Sequence, residues 1–107
     1  MKKIGQICGI TEENAKKYIE YHANIPTAIK NLIRDCNIRN YSIFYRKGIL
    51  FSYYEYVGND YEADMQKMSD DAENKKWWAL VKPLMSPLAD RKEGEFWADM
   101  DIVFDMD

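Results

Sequence analysis

Two runs of strand-forming residues constrain this chain most. Ile38-Arg39-Asn40-Tyr41-Ser42-Ile43-Phe44-Tyr45 is followed by Arg46-Lys47-Gly48, and then by Ile49 through Val57. Branched and aromatic side chains suit a pleated, half-buried surface, and a short glycine-containing break between two such runs makes a hairpin. At 107 residues the chain fits one domain, 1–107, and leaves little room for a second. Folding at that size buries about 65% of the unfolded surface, enough for one modest core.

The hairpin is flanked by helix signals. Residues 3–9 read as a short strand. Thr11 is an N-cap with acids behind it, and a helix runs to about Asn24, with Ala15, Tyr18, Ile19 and His22 at helical spacing. Pro26 stops that helix and can serve as the first residue of a continuation. Ala28, Ile29, Leu32 and Ile33 give the continuation its apolar face, and Asn37 can end it. After the hairpin, Gly58-Asn59-Asp60 caps a helix over about Tyr61–Met68. Asp70-Asp71 caps another through Trp77, Trp78 and Val81 to about Leu84. Ser86-Pro87 through Gly94 reads as a polar loop. Phe96–Phe104 reads as a last strand, in which Ala98, Met100, Ile102 and Phe104 alternate with polar residues.

The order β, α, β, β, α, β, with right-handed crossovers, predicts an α+β fold. It gives an antiparallel sheet covered by helices on one face, the ferredoxin-like arrangement. The uncovered face would also carry aromatics, Tyr53, Tyr54 and Tyr56 being placed in sheet or dimer packing. A second copy of the sheet is the expected cover, so a homodimer forming a dimeric α/β barrel is expected.

Composition narrows the function classes. Net charge is -3 and no basic stripe appears, which argues against nucleic acid. Aromatics reach 14%, a surplus that calls for a pocket or an interface. Cys8 and Cys36 are too few for a disulfide scaffold and sit in no paired metal motif. They read as reduced thiols of a cytoplasmic protein. The apolar run after Met1-Lys2-Lys3 meets Thr11-Glu12-Glu13 too soon for a signal peptide. No run of eighteen apolar residues exists, so no membrane span is expected.

The chemistry centres on Lys17-Tyr18-Ile19-Glu20-Tyr21-His22, which holds the only histidine. Four residues apart on a helix, Tyr18 and His22 lie one turn from each other on one face. An unperturbed imidazole titrates at about 6.5, so such a pair in a pocket can transfer protons without a cofactor. A lone histidine on an amphipathic helix also suits a surface or satisfied core position. Tyr41 has an alternative as a plain strand aromatic, the Trp pair as core, Asn40 as a strand organiser, and Glu55 as a solvent-facing charge. Asp99 and Asp101 read as the solvated face of the last strand.

Taken together, Tyr18 with His22, Asn40-Tyr41-Ser42-Ile43, Leu50-Phe51 with Glu55, and Trp77-Trp78 resemble the L-rhamnose mutarotase family. Gly94-Glu95-Phe96-Trp97-Ala98-Asp99-Met100 with Val103-Phe104 is similar to the closing strand of one branch of it. The resemblance spans nearly the whole chain in order. It implies a small ferredoxin-like dimer that interconverts anomers of a 6-deoxy sugar without metal or cofactor. It also implies His22 as proton donor and Tyr18, Tyr41, Trp77 and Trp78 as sugar contacts. The chain departs from the family where His22-Ala23-Asn24-Ile25-Pro26-Thr27-Ala28 lacks a common Trp-Pro-acid segment, and where Asp105 follows Phe104 although that branch often has a histidine near the end.

An aldose changes anomer by opening and reclosing its ring. The anomeric hydroxyl loses a proton and the ring oxygen gains one; an acid and a base near neutral pH suffice. Glu55, a charge within an otherwise apolar strand, is a candidate proton acceptor, as are water and a tyrosine hydroxyl. Two other functions share the scaffold. One is a cofactor-free oxygenase, which would want a large apolar pocket for a planar substrate. The other is a module that binds sugar without turning it over.

Overall fold

The computed structural model describes all residues, Met1–Asp107. Strand β1 spans Lys2–Ile10, followed by helix α1, Glu12–Ala23, and helix α2, Thr27–Asp35. Strands β2, Ile38–Arg46, and β3, Ile49–Tyr56, form the hairpin. Helices α3, Tyr61–Asp70, and α4, Ala72–Val81, come next, with a 3₁₀ turn at Lys82–Leu84. Two short strands, β4 at Met85–Ser86 and β5 at Ala98–Met100, complete the chain.

The caps are those the sequence predicts. Thr11 accepts from the Asn14 amide, Asp60 from Ala63 and Asp71 from Asn74. Each satisfies an N–H that the first helical turn leaves without a partner. Pro26 lies just outside α2, with extended ψ 141, rather than within it. Asn37, φ 65, closes that helix in the left-handed region. Lys47 and Gly48 both have positive φ and make the tight hairpin turn.

All strand pairings are antiparallel, in the order β2-β3-β1-β4, with β5 also on β1. This is the ferredoxin-like arrangement. Alternation along β1 and β3 points Ile4, Cys8, Ile10, Leu50, Tyr54 and Tyr56 to one face, all buried. The helices lie on that face and supply Ala15, Tyr18, Ile29, Leu32, Met68, Trp77 and Val81. Lys3, Gly5, Ile7, Phe51, Tyr53 and Glu55 point to the other face, which no helix covers.

The closing strand differs from expectation. Regular pairing is confined to Ala98–Met100 instead of Phe96–Phe104, and Met85–Ser86, at the start of the expected polar loop, pairs with β1 first. The two pieces share one edge. Met85 and Ser86 take Ile10 and Gly9, and Ala98 to Met100 take Ile7 to Gly5. Beyond Met100 the tail crosses the bare face, and the Lys3 ammonium pairs with Asp105. Ile102 and Phe104, expected to face inward, are exposed. The tail leaves the sheet at Met100 although Ile4, Lys3 and Lys2 are still unpaired on that edge of β1, and it turns across the bare face instead.

Candidate active site between the helices and the sheet

A cleft of about 1020 Å³ opens between the sheet and α1, α2, α3 and α4. His22, Tyr41, Trp77 and Trp78 all line it. The sequence places these residues on three separate elements, and the helical layer brings them together.

His22 sits in the last turn of α1, half-buried. Its Nδ1 is 2.7 Å from the Tyr18 carbonyl. A carbonyl oxygen only accepts, so Nδ1 carries the hydrogen and the neutral ring leaves its lone pair on Nε2. Burial lowers the His22 pKa, and the bond to the Tyr18 carbonyl partly offsets that. The resting imidazole is therefore neutral at pH 7. Its Nε2 accepts a proton before it can donate one, which reverses the order implied by the resemblance.

Two aromatic rings pack on the imidazole, and a third backs one of them. Tyr18 stacks on it with centroids 4.1 Å apart and planes 30° apart. Trp77 meets it edge-on at 5.1 Å. Tyr21 in turn meets Trp77 at 6.4 Å. Tyr18 itself is buried in the main core cluster and does not line the cleft. It supports His22 from below rather than facing the cavity. Burial raises its hydroxyl far above the usual phenol value, so it stays protonated.

Both tryptophans of α4 reach the cleft, although neighbours on a helix point about 100° apart. Trp77 is buried and belongs to the core as well, while Trp78 is half-buried at the cavity's edge. Tyr41 arrives by a β-bulge. Ile38 and Tyr41 both face the helices, a spacing of three that a regular strand forbids. The register shifts between Arg39 and Ser42, with Asn40 at φ 51. Tyr41 then packs on Tyr54 at 5.3 Å. Its hydroxyl end is desolvated, although the residue is partly exposed, and is pushed up to about 12.

Glu55 does not fit the acceptor role. It pairs across the sheet with Lys3 and Arg39 and projects from the face that carries Tyr53. Asn40 Nδ2 and the Tyr53 hydroxyl each donate to it at 2.7 Å. These two bonds hold its carboxyl below the usual range, and it is not among the cleft residues. Strand alternation decides this: odd positions from 49 to 55 face away from the helices.

Sequence reading missed Lys82, whose ammonium sits over the Trp78 ring at 4.0 Å and the Phe96 ring at 5.0 Å. The signal was present, because positions 78 and 82 share a helical face. It also missed Tyr54, Asn74 and Trp97, which reach the cleft from β3, from α4 itself and from the loop before β5. Nowhere do three His, Cys, Asp or Glu side chains converge as a metal-binding group would require. No helix is long and apolar enough to cross a membrane.

The family model described as L-rhamnose mutarotase matches residues 3–106. The chain belongs to the L-rhamnose mutarotase family. It is 31% identical to the L-rhamnose mutarotase of Ligilactobacillus salivarius, over 98% of this chain and 97% of that protein. It is 28% identical to the L-rhamnose mutarotase of Lactiplantibacillus plantarum, over the full length of both. The crystal structure of the L-rhamnose mutarotase FA22100 from Formosa agariphila superposes with a TM-score of 0.77 at 20% identity, covering 100% of each chain. The tetracenomycin F2 cyclase of Streptomyces glaucescens, a type-II polyketide cyclase, superposes with 0.76 at 10% identity, over 100% of this chain and 98% of that one. At such identities the structures speak for the fold alone, and the cyclase illustrates that this scaffold hosts other chemistry.

Proposed function

We propose that this member of the mutarotase family interconverts the α and β anomers of L-rhamnose or a related 6-deoxyhexose. His22 is the catalytic group, and Tyr41, Trp77 and Trp78 hold the sugar. The observation that carries this reading is the immobilised neutral imidazole on an aromatic-lined cleft, its Nδ1 tied to the Tyr18 carbonyl.

In the opening step the anomeric O1–H bond breaks and His22 Nε2 takes the proton. The O1 electron pair forms the C1 carbonyl. The bond from C1 to the ring oxygen breaks, its pair goes to that oxygen, and a proton joins it. After rotation about C1–C2 the steps reverse: the ring oxygen loses its proton, attacks the other carbonyl face, and His22 returns its proton to O1. A positioned acid or base contributes about 10²- to 10⁴-fold. Apolar sugar C–H faces and the 6-methyl suit the tryptophan faces, and hydroxyls suit the tyrosine and amide groups.

The enzyme acts as a cytoplasmic homodimer closed over the bare sheet face. Phe44 and Phe51 support this, because both are exposed there with centroids 5.9 Å apart. The free, buried thiols of Cys8 and Cys36 suit a reducing compartment.

Anomer exchange by NMR tests the activity. Irradiating the α-anomeric proton of L-rhamnose should transfer saturation to the β signal with wild type. With His22→Ala the rate should fall by about 10²- to 10⁴-fold. L-Fucose and D-glucose, run in parallel, identify the sugar preference. A folded wild-type protein that exchanges none of the three overturns the mutarotase reading in favour of sugar binding without turnover.

A further inference from the structure

Ring opening needs a second proton-transfer group besides His22, to serve the ring oxygen. Resting on the mutarotase reading above, we propose that this group is Lys82. Its ammonium donates a proton to the ring oxygen as the C1–oxygen bond breaks. On closure the resulting amine takes that proton back from the attacking hydroxyl. His22 and Lys82 each end the cycle as they began, and no other reactant is consumed.

The lining of the cleft narrows the choice. No carboxylate lines it, and Glu55 faces the other side of the sheet. The guanidinium of Arg39 donates through Nη1 to the carbonyls of Arg34 and Ile38, both at 2.9 Å. Neither Arg34 nor Arg39 can release a proton at neutral pH. The Tyr54 hydroxyl bonds the Tyr61 hydroxyl at 2.5 Å, so it is already engaged. Burial holds the Tyr41 proton on, up to about 12. Lys30 is exposed on α2.

Lys82 alone combines partial burial, a fixed seat and free donors. It caps the C-terminus of α4 one turn after Trp78. The Trp78 and Phe96 rings hold the ammonium at 4.0 and 5.0 Å. An aromatic face attracts a cation without consuming its N–H groups, and no carboxylate forms an ion pair with Lys82. Its three donors stay available to a bound sugar. Burial also lowers its pKa below the ordinary lysine value, which eases proton release. His22 rests against Trp77 and Lys82 against Trp78, so adjacent residues of α4 support the two groups in one cleft. On this assignment Trp78 seats the acid as well as contacting the sugar.

The test compares wild type with Lys82→Met, Lys82→Arg and Lys82→Ala by the same NMR exchange assay, each shown folded by circular dichroism. Lys82→Met keeps the aliphatic stem and removes the acid. Lys82→Arg keeps the charge and the donors but cannot give up a proton. Both should lose kcat by about 10²-fold or more, with KM changed only a few-fold. Lys82→Ala should regain rate in proportion to added ethylammonium and not to tetramethylammonium, which carries no transferable proton. Lys82→Arg within a few-fold of wild type, a loss confined to KM, or no gain with ethylammonium overturns the assignment. Wild type that turns over no sugar overturns the mutarotase reading itself, whereas active wild type with any of those results overturns only Lys82.

Discussion

His22 donates its Nδ1–H to the carbonyl of Tyr18 while its ring stacks on the Tyr18 side chain, so one residue sets both the tautomer and the plane of the imidazole. The pair is self-contained within one helical turn. It orients the proton-transfer group before any substrate arrives, which is the arrangement proximity effects require.

The Tyr18 ring, and not its hydroxyl, should therefore matter. No hydrogen bond engages that hydroxyl, and the residue lies beneath His22 and outside the cleft lining. Tyr18→Phe should keep kcat and KM within about threefold. Tyr18→Ala should cost about 3–5 kcal/mol of stability, typical of losing a buried aromatic, and lower kcat as the imidazole loosens. Denaturant unfolding and the exchange assay read both. A tenfold rise in KM for Tyr18→Phe would instead place the hydroxyl on the sugar.

The pH dependence has a defined sign. Burial lowers the pKa of His22, and a base must be unprotonated to act. Activity should be lost on the acid side, with the kcat/KM limb centred below about 6.5. A limb centred above 7 would contradict this. Stability runs the same way. In the unfolded chain His22 binds its proton more tightly, so its contribution is complete above about 6.5 and is lost as pH falls through the lower folded value. The melting temperature should drop on acidification, and less steeply in His22→Asn.

Gly9 should tolerate no side chain. A Cβ there would lie 2.5 Å from the Ser86 carbonyl oxygen, where β4 pairs with β1. Overpacking of this kind costs about 1–3 kcal/mol, so Gly9→Ala should lower the denaturation midpoint. Gly5 lies on the bare face, and its Cβ would meet the Met100 side chain at 3.6 Å and the Phe51 ring at 3.8 Å, both ordinary van der Waals contacts. Gly5→Ala should change stability by no more than about 0.5 kcal/mol.

The bare face should be the dimer contact. Phe44 is 59% exposed and Phe51 37%, an apolar pair that water alone would not favour. Under twofold symmetry each substitution acts twice. Phe51→Asp should shift sedimentation from the dimer to half its mass while the circular dichroism spectrum is kept. A wild-type protein that sediments as a monomer at micromolar concentration would refute the contact.

Much of this protein is determined by local sequence. The hairpin around Lys47-Gly48, the three side-chain caps and the helical registration of Tyr18 with His22 follow from neighbours within four residues, where backbone sterics and hydrogen bonding act directly. The residue order that carries the family resemblance is likewise legible without coordinates. Tertiary structure decided the rest, because it depends on contacts between distant segments. The bulge at Asn40 aims Tyr41 into the cleft, alternation along β3 sends Glu55 away from it, and burial under Trp77 keeps His22 neutral. The closing strand shows the same limit. Its alternating pattern specified a strand, but β4 already occupies Gly9 and Ile10 at one end of the β1 edge, and past Met100 the tail turns onto the bare face, where Asp105 pairs with Lys3.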